Sequence, residues 1–100
     1  MSERIYTTQQ IQSILQPVFM NHNVKKAILF GSYAKGIAKE QSDIDILVDS
    51  GLKGLAFFGS LEDVVTSLDK NVDLLDVSQV APDSEVDNEI SKSGVIIYGG

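Results

Sequence analysis

The 100-residue sequence contains no cysteine and a single histidine, His22. Without thiols there is no disulfide framework, no thiolate metal site and no cysteine nucleophile. One imidazole rules out a histidine-rich zinc centre. Basic residues are also scarce, eight Lys and Arg against fourteen Asp and Glu, for a formal charge of −6. Such a surface suits poorly the phosphate neutralisation on which non-specific nucleic-acid binding depends, so no direct nucleic-acid contact is expected. No apolar run approaches the roughly 20 residues that a membrane-spanning helix needs. The polar opening Met1-Ser2-Glu3-Arg4 does not have a signal peptide's layout. A cytoplasmic protein without membrane association is the expectation. What is present is a 43% hydrophobic share beside 22% charged residues, enough to build one folded domain over residues 1–100.

Periodicity divides the chain into alternating helices and strands. Ile11, Ile14, Leu15, Val18 and Phe19 repeat at helical spacing, with Thr7 or Thr8 as the cap. Pro17 is expected to kink that helix or end its first part. Lys26–Phe30 reads as a short buried strand, and Gly31-Ser32-Tyr33-Ala34-Lys35-Gly36 as a tight turn. Asp43–Val48 alternates and predicts a second strand. Phe57, Leu61, Val64, Val65 and Leu68 predict a helix, and Val72–Val77 a third strand. Ser84 and Asp87 open a last helix that stops at Gly94, before a short strand over Val95–Tyr98. The order predicts an α+β fold, a short mixed sheet with helices packed against it. The gap between the first two strands has room for a turn of helix, which would allow that pair to run antiparallel.

The placement of the acids is more informative than their number. Asp43 and Asp45 are two residues apart in a predicted strand and so project from one face, with Ile44, Ile46 and Val48 entering the core. Aspartate is disfavoured within strands, and two carboxylates ~5 Å apart repel by about 3 kcal/mol at an effective dielectric near 20. A divalent cation reverses the sign of that interaction, since Mg²⁺ requires converging hard oxygen ligands. Gly31-Ser32 directly follows the first strand, where a glycine turn brings backbone N–H groups close to a phosphate and the hydroxyl adds a donor. Asp73 and Asp76, three apart in the third strand, face opposite sides, so one of them at most joins such a site. Each would otherwise be an exposed strand-end acid.

Gly31-Ser32, ten residues, then Asp43-Ile44-Asp45 matches the GSx10DxD signature of the DNA polymerase β-like nucleotidyltransferase superfamily. GSYAKGIAKEQSDIDILVD closely resembles its minimal members, the MNT-domain proteins. The resemblance extends over nearly the whole chain, and Val72-Asp73-Leu74 resembles the strand that carries the family's third carboxylate. It implies a nucleotidyltransferase fold and transfer of AMP from ATP with two Mg²⁺ ions. Asp43, Asp45 and Asp73 would be the catalytic and metal-binding residues, with Asp76 the substitute for Asp73. Gly31 and Ser32 would bind nucleotide. Stand-alone MNT proteins resemble antitoxins whose partner is a HEPN-domain toxin, and the implied acceptor is a tyrosine hydroxyl of that toxin. Two other functions are compatible with the residues: an antitoxin that neutralises its toxin by binding alone, and a nucleotidyltransferase acting on a small-molecule hydroxyl. Lys35 stands where many relatives have arginine, which keeps the charge but not the bidentate fork. Lys35 and Lys39 flank the turn and would draw a triphosphate electrostatically. His22 is expected to cap its helix or be solvated, Tyr33 to pack, and Phe57 and Phe58 to be one core and one exposed residue.

Overall fold

Helix α1 (Thr8–Asn21) begins at a cap encoded in the sequence. The Thr7 hydroxyl accepts from the Gln10 amide at 3.1 Å, and the Gln10 side chain accepts from the Thr7 amide at 2.8 Å. These two bonds satisfy two donors that the first turn leaves open. The structure, a computed structural model, describes residues 5–99; the polar opening Met1–Arg4 lies outside them. Contrary to expectation, Pro17 neither ends nor divides α1. Its ring lies on the exposed side, where the carbonyl it leaves without an N–H partner meets water. Ile11, Leu15 and Phe19 form the buried stripe.

Four strands form one sheet in the order β3-β2-β1-β4. These are β1 (Lys26–Phe30), β2 (Ile44–Asp49), β3 (Val72–Asp76) and β4 (Val95–Gly99). β1 pairs antiparallel with both β2 and β4, while β2 and β3 run parallel, so the sheet is mixed, as the order of elements predicts. A parallel pair needs a crossover, and α3 (Leu55–Leu68) supplies it. One sheet face carries Ala27, Leu29, Ile44, Ile46, Val48, Leu74 and Ile97, and it packs into a single cluster with α1, Val64 and Leu68. The alternation of β2 sends Ile44, Ile46 and Val48 into the core as the sequence suggests, while Leu47 is buried on the opposite face. Phe57 packs against this cluster, and Phe58 is 61% exposed. β3 ends one residue short of the expected strand, because a 3-10 turn over Val77–Gln79 takes up Val77.

The segment expected as a turn after β1 is a short helix, α2 (Gly31–Lys35). Gly36 closes it in the left-handed region (φ 74°), with the amides of Gly36 and Ile37 donating to the carbonyls of Tyr33 and Ser32. The tight backbone is real, but its purpose is to start and stop one helical turn. Tyr33 packs into the core, as expected. On the other sheet face α4 (Glu85–Ser93) lies beside α2 and β1. The Ser84 hydroxyl caps α4, while the Asp87 carboxylate accepts from the Asp83 amide, one residue earlier than a full capping box requires. Gly94 follows because a Cβ there would overlap the Ile90 carbonyl and Ile28. His22 is the C-cap residue of α1, as one of the two expectations has it, and its ring does more: its Nε2 lies 2.6 Å from Asp63 Oδ2 and ties α1 to α3.

Candidate active site

Three elements meet at the end of the sheet where β1 stops and β2 starts. β1 delivers Gly31 and Ser32 at the entry to α2, the loop before β2 delivers Asp43, β2 delivers Asp45, and β3 delivers Asp73. Asp43 stands just before the strand, which begins at Ile44, and is exposed. The expectation that Asp43 lies within the strand is therefore corrected by one residue. The parallel register sets Asp45 directly beside Asp73. Register partners on adjacent strands share a face and lie about 4.8 Å apart across the hydrogen bonds, so these two carboxylates are neighbours.

The Gly31 turn closes onto that pair. Gly31 has φ 74°, and a Cβ at this position would overlap the Oδ2 atom of Asp45. Glycine is required twice over here, for the left-handed backbone and for the approach to a carboxylate. Ser32 follows it at once, half-buried. One α2 turn later, the Lys35 ammonium donates to Glu89 Oε1 of α4 at 3.0 Å. Lys39 is exposed in the loop after α2.

The electrostatics of the acids separate along the sheet faces. Burial is the main cause raising the Asp45 carboxyl, followed by Asp73, Asp43 and Glu89, and together they push it to about 6. Among the described residues Asp45 is thus surrounded by like charge, with no cation among the groups that shift it. That is the chemistry of a hard-cation site: oxygen donors of one charge, held close by the backbone, whose repulsion a divalent ion would relieve. The donor set fits Mg²⁺ by type and by charge. As they stand, no three acidic or histidine side chains among the described residues are drawn together into a metal cluster.

Asp76 is not part of this arrangement. It pairs with Val48, on the core-facing side, and is 5% exposed. Ser50 donates to Oδ1 from its amide (3.1 Å) and hydroxyl (2.6 Å), and Ser78 donates to Oδ2 from its amide (3.0 Å) and hydroxyl (2.7 Å). Burial would raise this carboxyl, but the Ser50 and Ser78 hydrogen bonds outweigh it and bring it down to about 2. The exposed strand-end acid expected from sequence is a buried structural anchor. Glu89 was not singled out in the sequence, and no local signal could have done so, since it reaches the site from 54 positions beyond Lys35.

A cleft of about 620 Å³ runs between the loop before β2 and the end of α3. It reaches Asp43 but not Asp45 or Asp73. The carboxylate geometry, not cleft size, locates the candidate chemistry, because the register pair Asp45–Asp73 lies outside this cleft. Among the described residues no helix is long and apolar enough to cross a membrane.

Comparison with known proteins gives the family and the fold. The family model described as "Polymerase beta, Nucleotidyltransferase" matches residues 9–100. A Methanocaldococcus jannaschii relative, provisionally named protein adenylyltransferase MJ0435, is 40% identical over 78 residues, covering 73% of this chain and 81% of its own. Protein adenylyltransferase MntA of Thermococcus cleftensis is 39% identical over 67 residues, covering 62% of this chain and 68% of its own. Among solved structures, a chain of a toxin–antitoxin crystal structure with AMP-PNP superposes with a TM-score of 0.75 at 24% identity, over 89% of this chain and 73% of that one. A chain from the complex of a tri-AMPylated Shewanella oneidensis HEPN toxin with its MNT antitoxin gives 0.70 at 21% identity, over 94% and 74%. At these identities the structural likeness establishes the fold. The match across residues 9–100 places the chain in the polymerase β-type nucleotidyltransferase family.

Proposed function

We propose that this chain is a Mg²⁺-dependent protein adenylyltransferase that moves AMP from ATP to a tyrosine hydroxyl of a HEPN-type toxin and so acts as an antitoxin in the cytoplasm. In this reading residues 1–100 form one minimal nucleotidyltransferase domain. The observation that carries it is the Asp45–Asp73 register pair with the Gly31 backbone packed against Asp45. The names of the M. jannaschii and T. cleftensis relatives support the reaction class. The AMP-PNP complex and the AMPylated HEPN toxin support the nucleotide and the partner.

Asp43, Asp45 and Asp73 would hold the Mg²⁺ ions. When bound, these ions supply charge neutralisation for the triphosphate and the leaving pyrophosphate. The protein's own groups do the positioning. The Gly31 amide and the Ser32 hydroxyl donate to phosphate oxygens and fix the triphosphate at the start of α2. Asp73, the most exposed of the strand acids, faces the acceptor and draws the proton of the incoming hydroxyl. The acceptor oxygen forms its bond to the α-phosphorus, the bond to the bridging oxygen breaks, and pyrophosphate leaves with its electron pair. Holding both reactants in line accounts for most of the rate.

Intact-mass measurement of the co-expressed partner tests the reading. Added mass in steps of about 329 Da is required for AMP transfer. A tight complex whose partner keeps its unmodified mass with ATP and Mg²⁺ present would instead identify an antitoxin that acts by binding alone.

A further inference from the structure

Lys35 and Glu89 form an ion pair that joins the two elements on the open sheet face. Lys35 lies three residues after Ser32 on α2, which puts the two on one side of that helix. A phosphate held by Ser32 is therefore within reach of the Lys35 ammonium. In this structure that ammonium is committed to Glu89 at 3.0 Å. Both partners are partly exposed, with side chains 43% and 37% accessible, so neither is locked in place by packing. Glu89 has an alternative partner three residues further along α4: Lys92, which makes no ion pair among the described residues. The two residues line the same groove between α2 and α4, a space of about 350 Å³ bordered also by Glu85, Asn88 and Ser93. No side chain of α4 is fully buried.

We propose that Glu89 is an internal competitor for the nucleotide, holding Lys35 until a triphosphate displaces it and Glu89 turns along α4 to Lys92. This rests on the nucleotide-binding reading above and adds a regulatory positioning residue to it. Glu89 also adds negative charge near Asp45, so any gain from removing it has two sources that a single substitution mixes. A double-mutant cycle separates them.

The experiment is calorimetric titration of ATP with Mg²⁺ into the full chain and its variants, each checked for folding by circular dichroism. Glu89→Gln should tighten ATP binding about two- to fivefold, the range of a partly exposed ion pair. In a Lys35→Met background the same substitution should change affinity by less than half that factor. Glu89→Asp, which restores the charge, should return affinity toward that of the unmodified chain. Lys92→Met should weaken ATP binding slightly, because the displaced carboxylate then has no partner. Unchanged or weaker binding in Glu89→Gln, or an equal effect with and without Lys35, overturns the competitor. If the unmodified chain binds no ATP at millimolar concentration, the nucleotide reading falls and this inference falls with it.

Discussion

Asp45 on β2 and Asp76 on β3 belong to neighbouring strands of one sheet, yet they occupy opposite faces and opposite chemical surroundings. Asp76 points toward the core and receives four hydrogen bonds from Ser50 and Ser78. Asp45 points to the open face, where its neighbours are Asp73, Asp43 and Glu89. The same side chain is therefore pulled down to about 2 in one place and pushed up to about 6 in the other. The buried carboxylate is the satisfied one, and the half-buried carboxylate is the one in want of a cation. Burial does not by itself mark a functional acid; unmet demand for positive charge does.

The sharpest way to break this contrast is to neutralise Asp45. Asp45→Asn should lower AMP transfer by on the order of 10³-fold, as expected when a metal ligand is lost. The metal-free protein should meanwhile melt at the same temperature or higher, because a repelled charge is gone. Unfolding in this variant, followed by circular dichroism, would show that Asp45 is structural and remove the contrast. Asp73→Asn should cost transfer about 10²-fold while ATP affinity changes little, since Asp43 and Asp45 remain. Single-turnover rates measured beside equilibrium ATP titration resolve the two effects.

Asp76→Asn tests the other side. Its amide would set an N–H against the Ser78 or Ser50 donors, and loss of hydrogen bonds to a charged acceptor costs about 2 kcal/mol. For a chain of this size that lowers Tm by roughly 10 °C, with activity per folded molecule unchanged. An Asp76→Asn protein that folds normally but transfers no AMP would reverse the roles assigned to the two β3 acids.

The smallest effect is in the pH dependence of metal-free stability, and here the two acids have opposite signs. Asp76 ionises more readily folded than unfolded, so its contribution, roughly 2 kcal/mol, is present above the unfolded value of 3.8 and is lost as pH falls through about 2. Asp45 takes up a proton more readily folded than unfolded, so its contribution is present below 3.8 and is lost as pH rises through about 6. Stability in denaturant should therefore peak near pH 4, where the two windows meet. Asp45→Asn should flatten the decline from pH 4 to 6, and Asp76→Asn the decline from pH 4 to 2. A profile unchanged by both substitutions would contradict both surroundings.

Much of this site is legible along the chain, because it is built from short-range patterns. The alternation in Ile44–Val48 separates a core face from an acid face by parity alone. The Gly31-Ser32 step marks a place where backbone must come close to something. Parity also assigns Asp73 and Asp76 to opposite faces. It leaves open that the face of Asp76 is closed over by Ser50 and Ser78, since Ser50 lies 26 residues away and is brought there by the parallel pairing of β2 and β3. The same limit explains Pro17: its sequence signal is a helix break, and only its exposed position in α1 makes the lost hydrogen bond tolerable. His22 gave no sign of Asp63 for the same reason, a contact across 41 residues between two helices.

Local chemistry therefore determined the elements, the core face of β2, the need for glycine at position 31 and the set of candidate acids, because each depends on neighbours within a few residues. Tertiary structure decided the rest. Strand order and register put Asp73 beside Asp45. The crossover through α3 made β2 and β3 parallel, and the return of α4 onto α2 brought Glu89 to Lys35. These pairings join residues far apart in the chain, and the forces that choose them, burial of one whole sheet face and the charge left on the other, exist only once the sheet has formed.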